Sequence, residues 1–145
     1  MSGIEVLGIN HVGLAPKDSA RARWFFETVL GLPFLGSELV LSQKTNTHML
    51  ESNNQIISSK PRLEILESDG TDPEAPIAKF LAKRGAGIHH IAMQVANIDA
   101  ALERLKSYNV RMIDNQPRIG AHKTRIAFVH PESTGGLLVE LVQEG

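Results

Sequence analysis

A short motif occurs twice in this chain of 145 residues, and this repeat constrains the fold more than any other feature. Residues 9–15 (INHVGLA) align with residues 88–94 (IHHIAMQ), 79 positions later, and both runs have a histidine in third place. Each run has the apolar, β-rich character of a strand. Similarity at a fixed spacing indicates a duplicated structural unit, so we expect two copies of one module.

A helix pattern follows each copy of the motif. After Asp18 and Ser19, apolar residues recur at helical spacing up to Gly31. The spacing predicts that Phe25 and Phe26 are core residues rather than a cofactor patch. After Asn97, a predicted N-cap, the same spacing recurs. Its apolar positions are Ile98, Ala101, Leu102 and Leu105.

Strand-like stretches complete each half of the chain. They are predicted at 34–41, 45–50 and 62–67, and again at 110–114, 124–129 and 136–142. A further helix is predicted between the halves, at about 72–85. The sequence therefore predicts an α+β domain over 1–145. It consists of two tandem βαβββ modules, at about 4–70 and 86–145, with an extra inter-module helix.

Four ionisable residues fall inside these predicted strands: His11, Glu64, His90 and Glu140. Each half places a histidine first and a glutamate 53 or 50 residues later. A buried carboxylate needs a cation, a proton or several hydrogen-bond donors. Two imidazoles and two carboxylates suit a divalent metal such as Co, Ni, Zn, Mn or Mg. Taken singly, each histidine also fits an ordinary core or surface position, and Glu64 could pair with a neighbouring basic residue.

Other polar residues leave alternatives open. His89 should point away from His90, because neighbouring strand residues face opposite ways. By the same rule, only one of Thr47 and His48 can face a central cleft. Arg118 and Lys123, with His122 between them, form either a clamp for an anionic group or a solvated turn.

Composition narrows the classes of function. Lys and Arg number 15 against 16 Asp and Glu, so no broad basic field is available for nucleic acid. The chain has no cysteine, which excludes disulfides and thiolate chemistry. No apolar run approaches 18 residues, so we expect no membrane span and a cytoplasmic location.

These motifs resemble the vicinal oxygen chelate superfamily over nearly the whole chain. The resemblance rests on residues 9–15 and 87–92 (GIHHIA), on residues 63–67 (LEILE), and on residues 117–122 (PRIGAH) and 130–141 (HPESTGGLLVEL). Within the superfamily the chain is most similar to methylmalonyl-CoA epimerases, partly through its inter-module segment at 75–85 (APIAKFLAKRG). The resemblance implies curved mixed sheets around a metal-lined cleft.

The resemblance also implies a function and a site. The function is metal-dependent interconversion of (R)- and (S)-methylmalonyl-CoA through an enolate.

 The implied metal ligands are His11, Glu64, His90 and Glu140, which would share one divalent ion. Glu140 is also the implied catalytic base on one face of the substrate.

The implied substrate is an acyl-CoA, and the implied assembly is a homodimer. Gln43 and Thr47 match family positions near the substrate, and His48, Arg118 and Lys123 are further candidate substrate-binding residues. Some bacterial epimerases have a glutamate, proposed as the second base, where this chain has Thr47. The second base therefore stays open among His48, Glu51 and a water held by Thr47. Two alternative functions are a lactoylglutathione lyase (glyoxalase I-like) isomerase and a non-catalytic small-molecule-binding protein.

Overall fold

A computed structural model describes residues 4–54 and 61–145. The chain divides into two compact units. One is His11–His89, and the other combines residues up to Asn10 with His90–Gly145. We call them the first and the second unit.

The first unit contains the second half of strand β1 (Val6–Ala15), followed by helix α1 (Ser19–Arg23) and a π-helical segment (Trp24–Val29). Strands β2 (Phe34–Val40), β3 (Thr45–Leu50) and β4 (Arg62–Ser68) follow, and then helix α2 (Pro76–Arg84). The strand order is β2-β3-β4-β1. β1 pairs with β4 in parallel, and the other pairs are antiparallel.

The second unit repeats this arrangement. Strand β5 (Gly87–Val95) begins three residues before the boundary at His90 and leads into helix α3 (Ile98–Ser107). Strands β6 (Arg118–Ile119), β7 (Arg125–Val129) and β8 (Val139–Gln143) follow. The order is β5-β8-β7-β6, with β5 parallel to β8 and the other pairs antiparallel. The same strand positions pair in the same directions in both units, so the α+β class and the two βαβββ modules are confirmed.

Each sheet buries one side against a helix. In α3, Asn97 accepts a hydrogen bond from the Ala100 N–H and caps the helix as predicted. Ile98 and Ala101 are fully buried against Ala127 and Leu141. Residues of β7 and β8 that alternate with these therefore point to the other side of the sheet. In the first unit, Ile77 of α2 packs with Ala15 and Leu66, as its predicted apolar stripe requires.

The first helix differs from the prediction. Asp18 caps α1, but the chain then becomes π-helical, and the Leu30 N–H donates to the Phe25 carbonyl five residues back. The wider turn shifts the apolar side chains around the axis. Phe25 is 44% exposed and only Phe26 is half-buried, so the prediction that both are core residues is wrong.

The prediction of a strand at 110–114 is also wrong. This segment makes one isolated bridge, between Met112 and Val129, and the strand beside β7 lies instead at Arg118–Ile119. The reason is local hydrogen bonding, because the N–H groups of Ile113 and Asp114 both donate to the Phe128 carbonyl. The Asp114 carboxylate then accepts the Phe128 N–H at 2.8 Å, which holds the segment in a turn.

No helix within residues 4–54 and 61–145 combines the length and the apolar character needed to cross a membrane.

Candidate metal centre

The first unit contains a buried histidine–glutamate pair. His11 on β1 and Glu64 on β4 are 5% and 4% exposed, and His11 Nδ1 lies 3.4 Å from Glu64 Oε2. The pairing of β1 with β4 produces this contact, because Gly13 is opposite Glu64 and His11 is two residues before it on the same face. Arg62 shares that face, with its Nε 3.8 Å from Glu64 Oε2.

The second unit contains the equivalent pair. His90 on β5 and Glu140 on β8 are 6% and 5% exposed, and His90 Nε2 lies 3.0 Å from Glu140 Oε1. Ala92 is opposite Glu140 in the parallel pairing, which places His90 on the Glu140 face. Phe128, opposite Glu140 on β7, packs edge-on against the His90 ring at 5.6 Å.

The donor types in both pairs fit a divalent metal ion. Imidazole nitrogens and carboxylate oxygens are ligands for Zn, Co, Ni and Mn, and carboxylates also suit Mg. Each carboxylate is nearly inaccessible to water, and isolating such a charge in a protein interior costs several kcal/mol, so it needs a cation or a proton. Each pair places an imidazole beside the carboxylate, and a metal ion would supply the positive charge more effectively.

His89 lies away from the second pair. Its ring packs edge-on against Phe80 of α2 at 5.0 Å, within the first unit. His90 instead packs against Phe128. The neighbouring histidines therefore have different surroundings, as expected from their positions in one strand.

Thr47 and His48 occupy opposite faces of β3. Thr47 is opposite Leu66, and Met49 is opposite Glu64, so Thr47 shares the Glu64 face and is 3% exposed there. His48 lies on the other face, where the structure accounts for both ring nitrogens. This position argues against the predicted contact between His48 and the substrate.

The partners of His48 define its tautomer. His48 Nε2 lies 3.1 Å from the Glu67 carboxylate, and its Nδ1 lies 2.6 Å from Ser37 Oγ. An ionised carboxylate only accepts hydrogen bonds, so Nε2 donates to Glu67 and Nδ1 accepts from Ser37 when the ring is neutral. His48 therefore links three strands on the face away from Glu64.

Arg118 lies on the same face of the second unit as Glu140. It is opposite Ile126, which lies two residues before Phe128 on the same face, and Phe128 is opposite Glu140. The guanidinium lies 5.6 Å from the centre of the Phe128 ring, and Nε is 3.3 Å from the Asp114 carboxylate. Asp114 thus holds the predicted anion-binding arginine beside the His90–Glu140 pair.

The remaining candidates lie in short turns. Gln43 is half-buried at the end of a turn over Leu41–Gln43, and its carbonyl accepts the Thr45 hydroxyl at 2.9 Å. Lys123 is exposed in a turn that follows Gly120. A Cβ at Gly120 would lie 2.9 Å from the Ile126 side chain, so this close approach requires glycine.

Comparison with known proteins identifies the family. The family model described as the Glyoxalase/Bleomycin resistance protein/Dioxygenase superfamily matches residues 10–128. The chain belongs to this superfamily. The superfamily resemblance drawn from the repeat is therefore confirmed.

Relatives within the superfamily include methylmalonyl-CoA epimerases. The human mitochondrial methylmalonyl-CoA epimerase is 37% identical, over 93% of this chain and 73% of that protein. An uncharacterized protein of Bacillus subtilis (strain 168), YqjC, is 38% identical, over 93% of this chain and 91% of its own length. A solved structure of methylmalonyl-CoA epimerase in complex with methylmalonyl-CoA and NH4+ has a TM-score of 0.87 and 31% identity. It covers 97% of this chain and 96% of the neighbour.

The sequence alone did not identify two further residues of the candidate site, Asp114 and Glu38. The predicted strand at 110–114 includes Asp114, and the contact of Asp114 with Arg118 depends on the turn that forms there instead. Glu38 lies directly opposite Thr47 on β2 and shares its face. Strand alternation alone could have suggested the face of Glu38, but its position opposite Thr47 depends on the register of the β2–β3 pairing, in which Val40 is opposite Thr45.

Proposed function

We propose that the protein is a metal-dependent epimerase that interconverts (R)- and (S)-methylmalonyl-CoA through an enolate. The observation that carries the proposal is the duplicated, buried His–Glu pair, with one pair in each βαβββ unit. Similarity to methylmalonyl-CoA epimerases over 93% of the chain supports the choice of substrate.

The proposed ligands of one divalent ion are His11, Glu64, His90 and Glu140. Among the described residues, His11, His90 and Glu140 are buried and each offers one atom that can ligate a metal. Glu64 is the fourth proposed ligand because it contacts His11. When bound, the metal would act as a Lewis acid that stabilises negative charge on the thioester oxygen. The donors are compatible with Co, Ni, Zn, Mn or Mg.

The chain's own residues would then bind the substrate and move protons. The α-proton of a malonyl thioester is acidified by two carbonyl groups, and its removal leaves an enolate. Glu140 is the proposed base at one face of the α-carbon, where it takes up or returns that proton. Arg118 is proposed to bind an anionic group of the substrate, because its guanidinium is fixed by Asp114 on the Glu140 face.

The proposal extends to a homodimer. Large apolar side chains are exposed on the edge strand β2 and just after it, and Leu41 is 77% exposed. Contiguous exposed apolar surface often marks a protein–protein interface. Sedimentation equilibrium of the purified chain tests this part. A cytoplasmic location is likewise proposed, from the absence of cysteine.

Turnover by the metal-loaded protein tests the activity. A single epimer of methylmalonyl-CoA, incubated with the protein in heavy water, should lose its α-proton signal and give both epimers. Chelation of the metal should stop the reaction. Absence of both exchange and epimerisation would contradict the proposal. Isomerisation of the methylglyoxal–glutathione hemithioacetal by the same sample would then indicate a lactoylglutathione lyase, and inactivity on both would indicate a binding protein.

A further inference from the structure

Inversion at the α-carbon requires a proton acceptor and a proton donor on opposite faces of the substrate. Glu140 is the proposed group for one face. The second group has to come from elsewhere, and the buried Thr47 on the Glu64 face cannot serve, because a threonine hydroxyl is far too weak a base at neutral pH. His48 lies on the other side of β3 and contacts Ser37 and Glu67.

The strand register places one further carboxylate on the sheet face that carries the proposed metal ligands of the first unit. Strands β2, β3 and β4 carry three acidic side chains, Glu38, Glu64 and Glu67. Glu38 is opposite Thr47, and Thr47 shares its face with Glu64 through the β3–β4 pairing. Glu67 lies on the opposite face with His48. Glu38 is therefore the second carboxylate on the face that carries the His11–Glu64 pair.

The surroundings of Glu38 and Glu64 differ in a way that suits two roles. Glu64 is buried and contacts His11, as a metal ligand requires. Glu38 is half-buried, so a substrate could reach it. Glu38 and Glu64 are two strands apart and offset by two residues along the strands, a separation of about 12 Å, which leaves room for a small acyl group between their side chains.

We propose that Glu38 is the second catalytic base of the epimerase, an assignment that rests on the function proposed above. In one direction the Glu38 carboxylate takes the α-proton, and the C–H electron pair passes into the enolate. Glu140 in its protonated form then delivers a proton to the other face of the α-carbon. In the reverse direction the two carboxyl groups exchange roles, so no oxidant or further reactant is required.

Thr47 provides the means of testing this position. A cross-strand pair has its Cβ atoms about 5 Å apart, so Thr47→Glu would introduce a carboxylate close to that of Glu38. The combination Glu38→Gln with Thr47→Glu therefore moves the carboxylate across one strand while keeping the number of acidic groups constant. Partial recovery of activity in this double variant would support a chemical role for the carboxylate.

The experiment measures two reactions of each epimer in heavy water, namely α-proton exchange and inversion. Glu38→Gln should slow inversion by about 10²–10⁴-fold, the usual contribution of general acid–base catalysis. It should retain exchange without inversion for the epimer whose α-proton faces Glu140. Loss of a merely structural carboxylate would slow exchange of both epimers alike. Metal content is measured in parallel and should stay unchanged.

Two matched variants complete the test. Glu67→Gln removes an acid from the other face of the same sheet and should leave both reactions unchanged. Glu51→Gln tests the other nearby carboxylate, which follows the end of β3 and is half-buried. Wild-type inversion in Glu38→Gln, equal loss of exchange for both epimers, or the predicted pattern in Glu51→Gln instead would overturn the assignment. An inactive wild-type protein would instead contradict the proposed function, and the Glu38 assignment with it.

Discussion

The His11–Glu64 and His90–Glu140 pairs occupy equivalent strands in two repeats, yet their surroundings differ. Arg62 and Thr47 share the face of the first pair. The second pair lies against Phe128, which packs with an apolar cluster of Ala92, Ile126 and Val142. The separations differ as well, at 3.4 Å in the first pair and 3.0 Å in the second.

This difference indicates a division of roles between the duplicated halves. An apolar wall fixes the second pair by packing, and it lowers the local dielectric around Glu140. In the first pair, Arg62 lies 3.8 Å from the Glu64 carboxylate and compensates its charge, whereas Arg118 on the Glu140 face pairs with Asp114. Duplication therefore conserved the ligand types while the surrounding residues diverged.

Phe128→Ala should produce the largest effect, because it removes the apolar wall of the second pair. Phe128 is 5% exposed, and truncating a buried phenylalanine costs about 3–5 kcal/mol. Urea denaturation of the metal-free protein measures the loss. The control is Phe25→Ala, at a side chain that is 44% exposed, and it should cost much less. Equal losses would contradict the packing role given to Phe128.

His90→Ala should weaken metal binding more than about 100-fold, since even outer-shell partners of a metal ligand contribute 10–100-fold. Isothermal titration with Co²⁺ or Zn²⁺ measures the affinity. The neighbouring variant His89→Ala removes a ring that packs on Phe80 and should retain affinity near the wild-type value. Similar losses in the two variants would mean that the β5 register places the wrong histidine in the site.

Arg62→Met tests whether the Arg62 cation compensates the buried Glu64 carboxylate in the first unit. The Arg62 side chain is 17% exposed and its Nε lies 3.8 Å from Glu64. Removing this cation leaves less compensation for a buried carboxylate, at a cost of about 1–3 kcal/mol in the metal-free protein. Added metal should restore most of the stability by supplying positive charge. A stability loss that is the same with and without metal would contradict this account.

Asp99→Asn should have the smallest effect on stability, because Asp99 lies outside both His–Glu pairs. Hydrogen bonds from Arg125 hold the pKa of Asp99 below its ordinary value of 3.8. A lowered pKa in the folded state stabilises the protein above the ordinary value, and the contribution disappears as pH falls through the lowered pKa. Asp99→Asn should therefore lower the melting temperature slightly at pH 7, and the difference from the wild type should shrink as the pH falls below 3.8. A loss that persists in acid would indicate another cause.

The fold and the positions of the two His–Glu pairs could be predicted from the sequence because both depend on local patterns. The repeat defines the modules, and period-two alternation indicates that each strand buries its histidine or glutamate. The position of Glu38 could not be predicted in the same way. Its position opposite Thr47 depends on how β2 and β3 align across the strand pair, with Val40 opposite Thr45, and the alternation within one strand does not specify that alignment.

The errors have similar physical causes. At Phe25 a π-helical turn replaced the expected α-helical spacing. At 110–114 the Asp114 carboxylate bonded to the backbone of β7 and stopped a strand from forming. In both segments local hydrogen bonds to the backbone determined the structure, although the apolar pattern predicted a regular α-helix in one and a strand in the other.

The stoichiometry of metal binding tests the central claim, that both His–Glu pairs serve one ion. Native mass spectrometry of the protein loaded with Co²⁺ measures the number of ions per chain, and the same measurement on Glu64→Ala and Glu140→Ala tests each pair. We expect one ion per chain in the wild type and weaker binding of that same ion in both variants. Two ions per chain, with each variant losing only one, would show that the pairs bind metal separately and would contradict the account.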